Sequence, residues 1–122
     1  MVPADIAFPV AGPVGLGSLE VAKERDLMFI GVDTDWYVSA GPSNVILTSV
    51  EKKMGVAVFD AIKASMDGTF KGCDVYVGTL SNGGVDIAPL HDFESRVPQW
   101  LKDELEQVGQ GIINGTIETG WD

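Results

Sequence analysis

A chain of 122 residues is long enough for one compact domain and short for two. Eighteen Asp and Glu against eight Lys and Arg leave a formal charge of −10, an acidic surface that repels phosphate backbones and anionic lipid heads and argues against nucleic-acid binding. With 45% hydrophobic and 21% charged residues wholesale disorder is excluded, no apolar run approaches the ~20 residues of a membrane helix, and the single Cys73 cannot close an internal disulfide.

Met1-Val2-Pro3-Ala4-Asp5 carries no basic region and no long apolar core, so no signal peptide is read there. Such a start fits a cytoplasmic protein and equally a segment from inside a longer chain. Ile6 to Val10 reads as a short buried strand, followed by the glycine-rich loop Ala11 to Gly17. Ser18 to Arg25 gives a short helix with Leu19 and Ala22 inward. Leu27 to Val32 is apolar throughout, the mark of a strand covered on both faces of a parallel sheet, and it stops at Asp33-Thr34-Asp35-Trp36.

A polar loop with Gly41-Pro42-Ser43-Asn44 leads to a strand over Val45 to Ser49. Val50 to Asp67 predicts a helix with Val50, Met54, Val58, Ile62 and Met66 on one stripe, and Gly68 stands at its C′ position. Asp74 to Leu80 alternates as a strand does, and Val85 to Pro89 is a further extended piece. Pro98 opens a last helix with Leu101, Leu105, Val108 and Ile112 inward, ended by Gly115. This order predicts an α/β fold with a mainly parallel sheet flanked by helices.

In such sheets ligands bind beyond the carboxyl ends of the strands. Ala11 to Gly17, Asp33 to Trp36 and Thr48 to Lys53 meet that description. The glycine loop offers backbone N–H groups to an oxygen-rich ligand, and a tight strand-to-helix turn is the alternative. Asp33 ends an apolar strand, where a carboxylate accepts two hydrogen bonds from vicinal hydroxyls. Asp35 is better placed to cap the following turn through the N–H two residues on. Trp36 and Tyr37 either stack on a ring or cover the loop.

Lys52 and Lys53, read as first-turn residues of the long helix, oppose its dipole, so a carboxylate such as Asp33 or a ligand oxygen is expected to reward one of them. The alternative is that Glu51 already balances both on a solvated face. His91, alone in a loop with Asp92 and Glu94, reads as a surface residue. No cluster has metal-ligand spacing, and no cofactor motif is present.

Taken in order, Ala11-Gly12-Pro13-Val14-Gly15-Leu16-Gly17, Ile30-Gly31-Val32-Asp33-Thr34-Asp35 and Val45 to Lys53 resemble the basic membrane protein family. The likeness continues through Asp67-Gly68-Thr69-Phe70-Lys71-Gly72, Gly83 to Pro89 and Ile113-Asn114-Gly115-Thr116-Ile117. These are substrate-binding lipoproteins of ABC transporters, and their best-understood members bind nucleosides.

The resemblance is to the family's C-terminal portion only. It implies part of a two-lobed periplasmic-binding-protein fold of type I, with residues 1–122 forming a single α/β fragment and a lobe crossover near 36–45. It implies a nucleoside-like ligand held between lobes, a permease as partner, no catalysis, and a lipid-anchored location at the cell surface or in the periplasm. By resemblance the ligand contacts fall on Asp33, Lys52 and Gly12. Gly12-Pro13-Val14 replaces a more glycine-rich loop, and Glu51 stands where an apolar residue is usual. With its helical stripe short of a partner, the fragment is expected to form a homodimer.

The rival is an enzyme. Asp33-Thr34-Asp35, with Thr48 or Ser49 after Val45-Ile46-Leu47, is similar to the first two motifs of haloacid-dehalogenase-type phosphatases. There the first aspartate attacks phosphorus, the second acts as general acid and magnesium screens the charge. Tyr37 stands where Thr or Val is usual, and the acidic pair that holds the metal has no convincing equivalent.

Overall fold

The apolar run after Asp26 becomes the second of four neighbouring strands in the computed structural model, which describes residues 4–120. The Met1–Pro3 part of the N-terminal reading lies outside the described residues. Strands β1 (Ile6–Ala7), β2 (Met28–Asp33), β3 (Ile46–Lys52) and β4 (Val85–Ile87) lie side by side in chain order. β1, β2 and β3 are mutually parallel and β4 runs antiparallel to β3, so the sheet is mainly parallel as the sequence predicts.

Helix α1 (Gly15–Arg25) makes the β1-to-β2 connection and buries Leu19 and Ala22, the two residues the sequence turns inward. Its C-cap, Asp26, is left-handed at φ 54°. Residues 34–45 carry the single-turn helix α2 (Trp36–Ser39) and join the parallel neighbours β2 and β3. This stretch crosses over to return to the same sheet, and Trp36 and Val45 are packed into the same cluster as Leu19, Phe29 and Ile46.

On β2 only the Phe29 and Gly31 face is fully buried. Met28, Ile30 and Val32 on the other face are half-buried, so the expectation of complete cover on both sides is corrected to one.

Three further expectations change. β3 runs on to Lys52, and helix α3 (Met54–Met66) starts four residues later than the apolar stripe predicts. Val50 to Lys52 pair with β4 instead, because hydrogen bonds to a strand edge satisfy that backbone at once. Lys52 is therefore a strand residue and Lys53 the helix N-cap, not first-turn residues. Asp74 to Leu80 forms no strand. The Asn82 side chain holds Thr79 N–H and Val77 C=O, so local bonds replace a ladder.

Gly68 and Gly115 each follow a helix with φ near +70°, the left-handed closure their positions predict. Helix α4 (Gln99–Ile113) follows Pro98, but none of its residues is fully buried. The same is true of α3, whose Met54, Val58, Ile62 and Met66 are more than half exposed.

Candidate functional site

The site grows from the end of β2. A parallel strand projects its last side chain beyond the sheet edge, and here that residue is Asp33, whose φ of +71° is left-handed. In regular pleat Asp33 would lie beside its register partner Glu51, carboxylate against carboxylate. The left-handed turn takes it out of that pleat, and its Oδ1 lies 3.1 Å from Lys52 Nζ. Asp33 thus pairs with Lys52, and Lys53 has carboxylate partners of its own in Asp86 and Glu51. With Lys52 in a strand and Lys53 at the N-cap, these pairs do not answer a first-turn dipole penalty.

The glycine loop comes to the same place. Gly12 has φ +52°, and a Cβ added to it would stand 3.7 Å from Asp33 Oδ2. The bare backbone leaves that oxygen uncovered. Gly12, Pro13, Leu16, Val32, Trp36 and Ala40 surround a crevice of about 320 Å³, in which Asp33 is the one charged lining residue among the described residues. Gly12 and Lys52, singled out far apart in sequence, therefore each come to Asp33. An apolar hollow with one exposed carboxylate suits a flat heterocycle whose polar edge reaches the acid.

Trp36 covers the loop and is not a free stacking plate. It is 5% exposed, lies with its ring centroid 5.2 Å from Phe29, and donates its indole N–H to Val32 C=O at 2.8 Å. Ser49 Oγ accepts the Trp36 backbone N–H at 3.0 Å beneath it. Asp35 does cap: its Oδ1 accepts the Tyr37 N–H at 3.0 Å, two residues on.

The sequence reading missed His91. Its Nε2 lies 2.8 Å from Asp35 Oδ2, and its ring stacks on Tyr37 at 4.1 Å with planes 7° apart. It is a half-buried brace between the loop after β4 and the start of α2, not a lone surface residue. Tyr37 donates its hydroxyl to Asp92 at 3.0 Å, and that bond raises the phenol above its ordinary pKa. No local signal announces this brace, since Asp35 and His91 are 56 residues apart.

The phosphatase-like residues are differently employed. Both Asp35 oxygens are engaged, Ser49 Oγ supports Trp36, and Thr48 donates its hydroxyl to Ala88 C=O at 2.7 Å.

The sequence profile of the family described as ABC transporter substrate-binding protein PnrA-like matches residues 2–120. Over 121 residues the chain is 32% identical to basic membrane protein D of Borreliella burgdorferi, covering 97% of this chain and 35% of that protein. It is 34% identical over 128 residues to the ABC transporter nucleoside-binding protein BmpA of Lactococcus lactis, covering 93% of this chain and 35% of the relative. It thus spans about a third of the length of these curated relatives.

The fold is shared with a solute-binding protein of an ABC transporter system from Aeropyrum pernix, at a TM-score of 0.70 and 23% identity over 93% of this chain and 39% of that one. A transcriptional activator of the comK gene from Bacillus halodurans superposes at 0.76 with 20% identity, covering 96% and 38%. The mainly parallel α/β architecture is accordingly the periplasmic-binding-protein fold. From strand order to sequence profile, these observations agree that the chain belongs to the PnrA-like family of ABC transporter substrate-binding proteins.

Proposed function

We propose that this chain forms one wall of the ligand cleft of an ABC-importer solute-binding protein, and that the ligand is a nucleoside or a similarly hydroxylated heterocycle. The observation that carries this is the Asp33–Lys52 ion pair at the mouth of the apolar crevice beside Gly12. Asp33 accepts ligand hydroxyls, Lys52 donates to a ring or sugar oxygen, and the Gly12 backbone lets the ligand approach. The name of the Lactococcus relative supports the nucleoside assignment. Titration calorimetry of the whole reading frame with purine and pyrimidine nucleosides tests it. Saturable heat with a nucleoside is expected, and none across the panel overturns the ligand class. The permease partner and a lipid-anchored location outside the cytoplasmic membrane belong to the same reading.

The crevice needs a second wall. The chain passes to that lobe at Lys52–Lys53 and returns at Gly84–Val85, where β3 and β4 pair antiparallel and Lys53 N–H meets Gly84 C=O at 2.8 Å. This location is preferred to 36–45, whose Trp36 and Val45 are held in the core. Between those two points α3 buries nothing fully, which is how a helix stands when its partner is elsewhere.

Made by itself, the 122-residue chain is therefore expected to self-associate, with a homodimer as the preferred state. Covering Met54, Val58, Ile62 and Met66 is worth roughly 1.5–3 kcal/mol per side chain. The −10 charge opposes association, but salt screens it over about 8–10 Å. Sedimentation at micromolar concentration in moderate salt should show a dimer. A clean monomer that melts cooperatively would remove the unpartnered-helix reading.

Catalysis is not part of this function. The would-be general acid, Asp35, is held by Tyr37 and His91 and cannot reach a leaving group without unfolding its own cap. With magnesium and a panel of phosphate esters, phosphate release should stay at background. Turnover that disappears in Asp33→Asn would favour the phosphatase instead.

A further inference from the structure

Beside the Asp33–Lys52 pair lies a second ionic cluster with no evident reason to be there. Glu51 of β3 and Asp86 of β4 are direct cross-strand partners. Like charges placed so repel. Lys53 Nζ lies 2.7 Å from Asp86 Oδ2 and 3.6 Å from Glu51 Oε2, so one ammonium serves both. Counting Asp33, three carboxylates here share two lysines.

That shortage makes the division of partners matter. As the pairs stand, the Lys53 ammonium is taken up by Asp86 and Glu51, and the Lys52 ammonium by Asp33. Without Lys53, Lys52 would be the one lysine left to this trio, and Glu51, its chain neighbour, would compete with Asp33 for it. We propose that Lys53 is a positioning residue for the crevice: by taking up Glu51 and Asp86 it leaves Lys52 to Asp33 and fixes the strand end that carries Lys52.

Both partners of the clasp report their contact. The bond to Asp86 raises the Lys53 ammonium above its ordinary pKa, and the bond to Lys53 lowers the Asp86 carboxyl. A lowered carboxyl contributes stability above its unfolded value and loses it as pH falls through the folded one. A raised ammonium contributes below its unfolded value and loses it as pH rises through the folded one. The clasp therefore operates between the acidic titration of Asp86 and the alkaline titration of Lys53, which spans neutral pH. The ionisable groups in contact with Lys53 are Asp86 on β4 and Glu51 on β3, with the Lys52–Asp33 pair next along the chain.

NMR of the ligand-free chain tests this through the Asp33 side-chain carboxyl resonance and the amide exchange rate of residue 53. Lys53→Met keeps the aliphatic stem and removes only the charge. It should shift the Asp33 resonance and speed exchange at residue 53 by about two- to fivefold at low salt. Lys53→Arg should hold both near the parent values. Adding Glu51→Gln to Lys53→Met should return the Asp33 resonance toward the parent, because the competitor for Lys52 is gone. An unchanged Asp33 resonance in Lys53→Met overturns the proposal, as does failure of Glu51→Gln to restore it. The significance of Asp33 for ligand rests on the function proposed above, but no ligand enters this experiment. Its failure leaves nucleoside binding standing, and absence of nucleoside binding leaves the ion-pair result standing.

Discussion

Gly31→Ala should lower the stability of the fold by about 3 kcal/mol, at the upper end of the usual cost of overpacking. A Cβ at Gly31 would press on Ser49 Oγ and come within 2.6 Å of Trp36 Cγ. Neither neighbour is free to yield. Ser49 is fully buried and accepts the Trp36 N–H, and the Trp36 indole is tied to Val32 C=O and packed on Phe29. Relief would have to come from moving α2 off β2, which also moves the crevice floor. A fall in melting temperature of roughly 10 °C is expected by calorimetry or circular dichroism. Gly17→Ala is the control, since a Cβ there meets nothing within 4 Å and the site is helical. It should be neutral or raise stability by about 0.5–1 kcal/mol. Equal melting of the two variants would mean that Trp36 is not wedged over Gly31.

Asp33→Ala, made in the whole protein, should weaken ligand binding by about 2–4 kcal/mol if two charge-assisted hydrogen bonds are lost. The carboxylate is half exposed and, among the described residues, its one ionic partner is the exposed Lys52, so its removal leaves no buried partner there unpaired. The cost falls on ligand, not on folding. Asp33→Gly sharpens the distinction. With φ at +71° the native aspartate sits where glycine is at ease, so the substitution relieves backbone strain while deleting the same carboxylate. A variant that melts no lower than the parent but binds ligand as poorly as Asp33→Ala is the expected result. Unchanged affinity by calorimetry in either variant takes Asp33 out of the site.

Some of this was legible in the residues alone because local chemistry sufficed. Leu19 and Ala22 repeat at helical spacing, and both are buried. Gly68 and Gly115 end helices because left-handed closure costs glycine little. Asp35 closes on the N–H of Tyr37, a bond two residues long. The apolar strand ending in an acid, followed by a pair of lysines, announced Asp33 and Lys52 before their distance was known.

What tertiary structure decided involved distant partners. The stripe from Val50 to Met66 reads as one helix, yet its first residues are strand, because β2 and β4 offered hydrogen bonds that no periodicity records. Asp74 to Leu80 alternates as strands do, but formed no ladder. His91 gained its role from Asp35, far along the chain, and Lys53 from Asp86. The sequence by itself determined the family, the mainly parallel α/β class and the acid at the strand end, all carried by contiguous patterns. The brace, the clasp and the handover from strand to helix at Lys53 were settled only in three dimensions, where a side chain's partner depends on which backbone lies beside it.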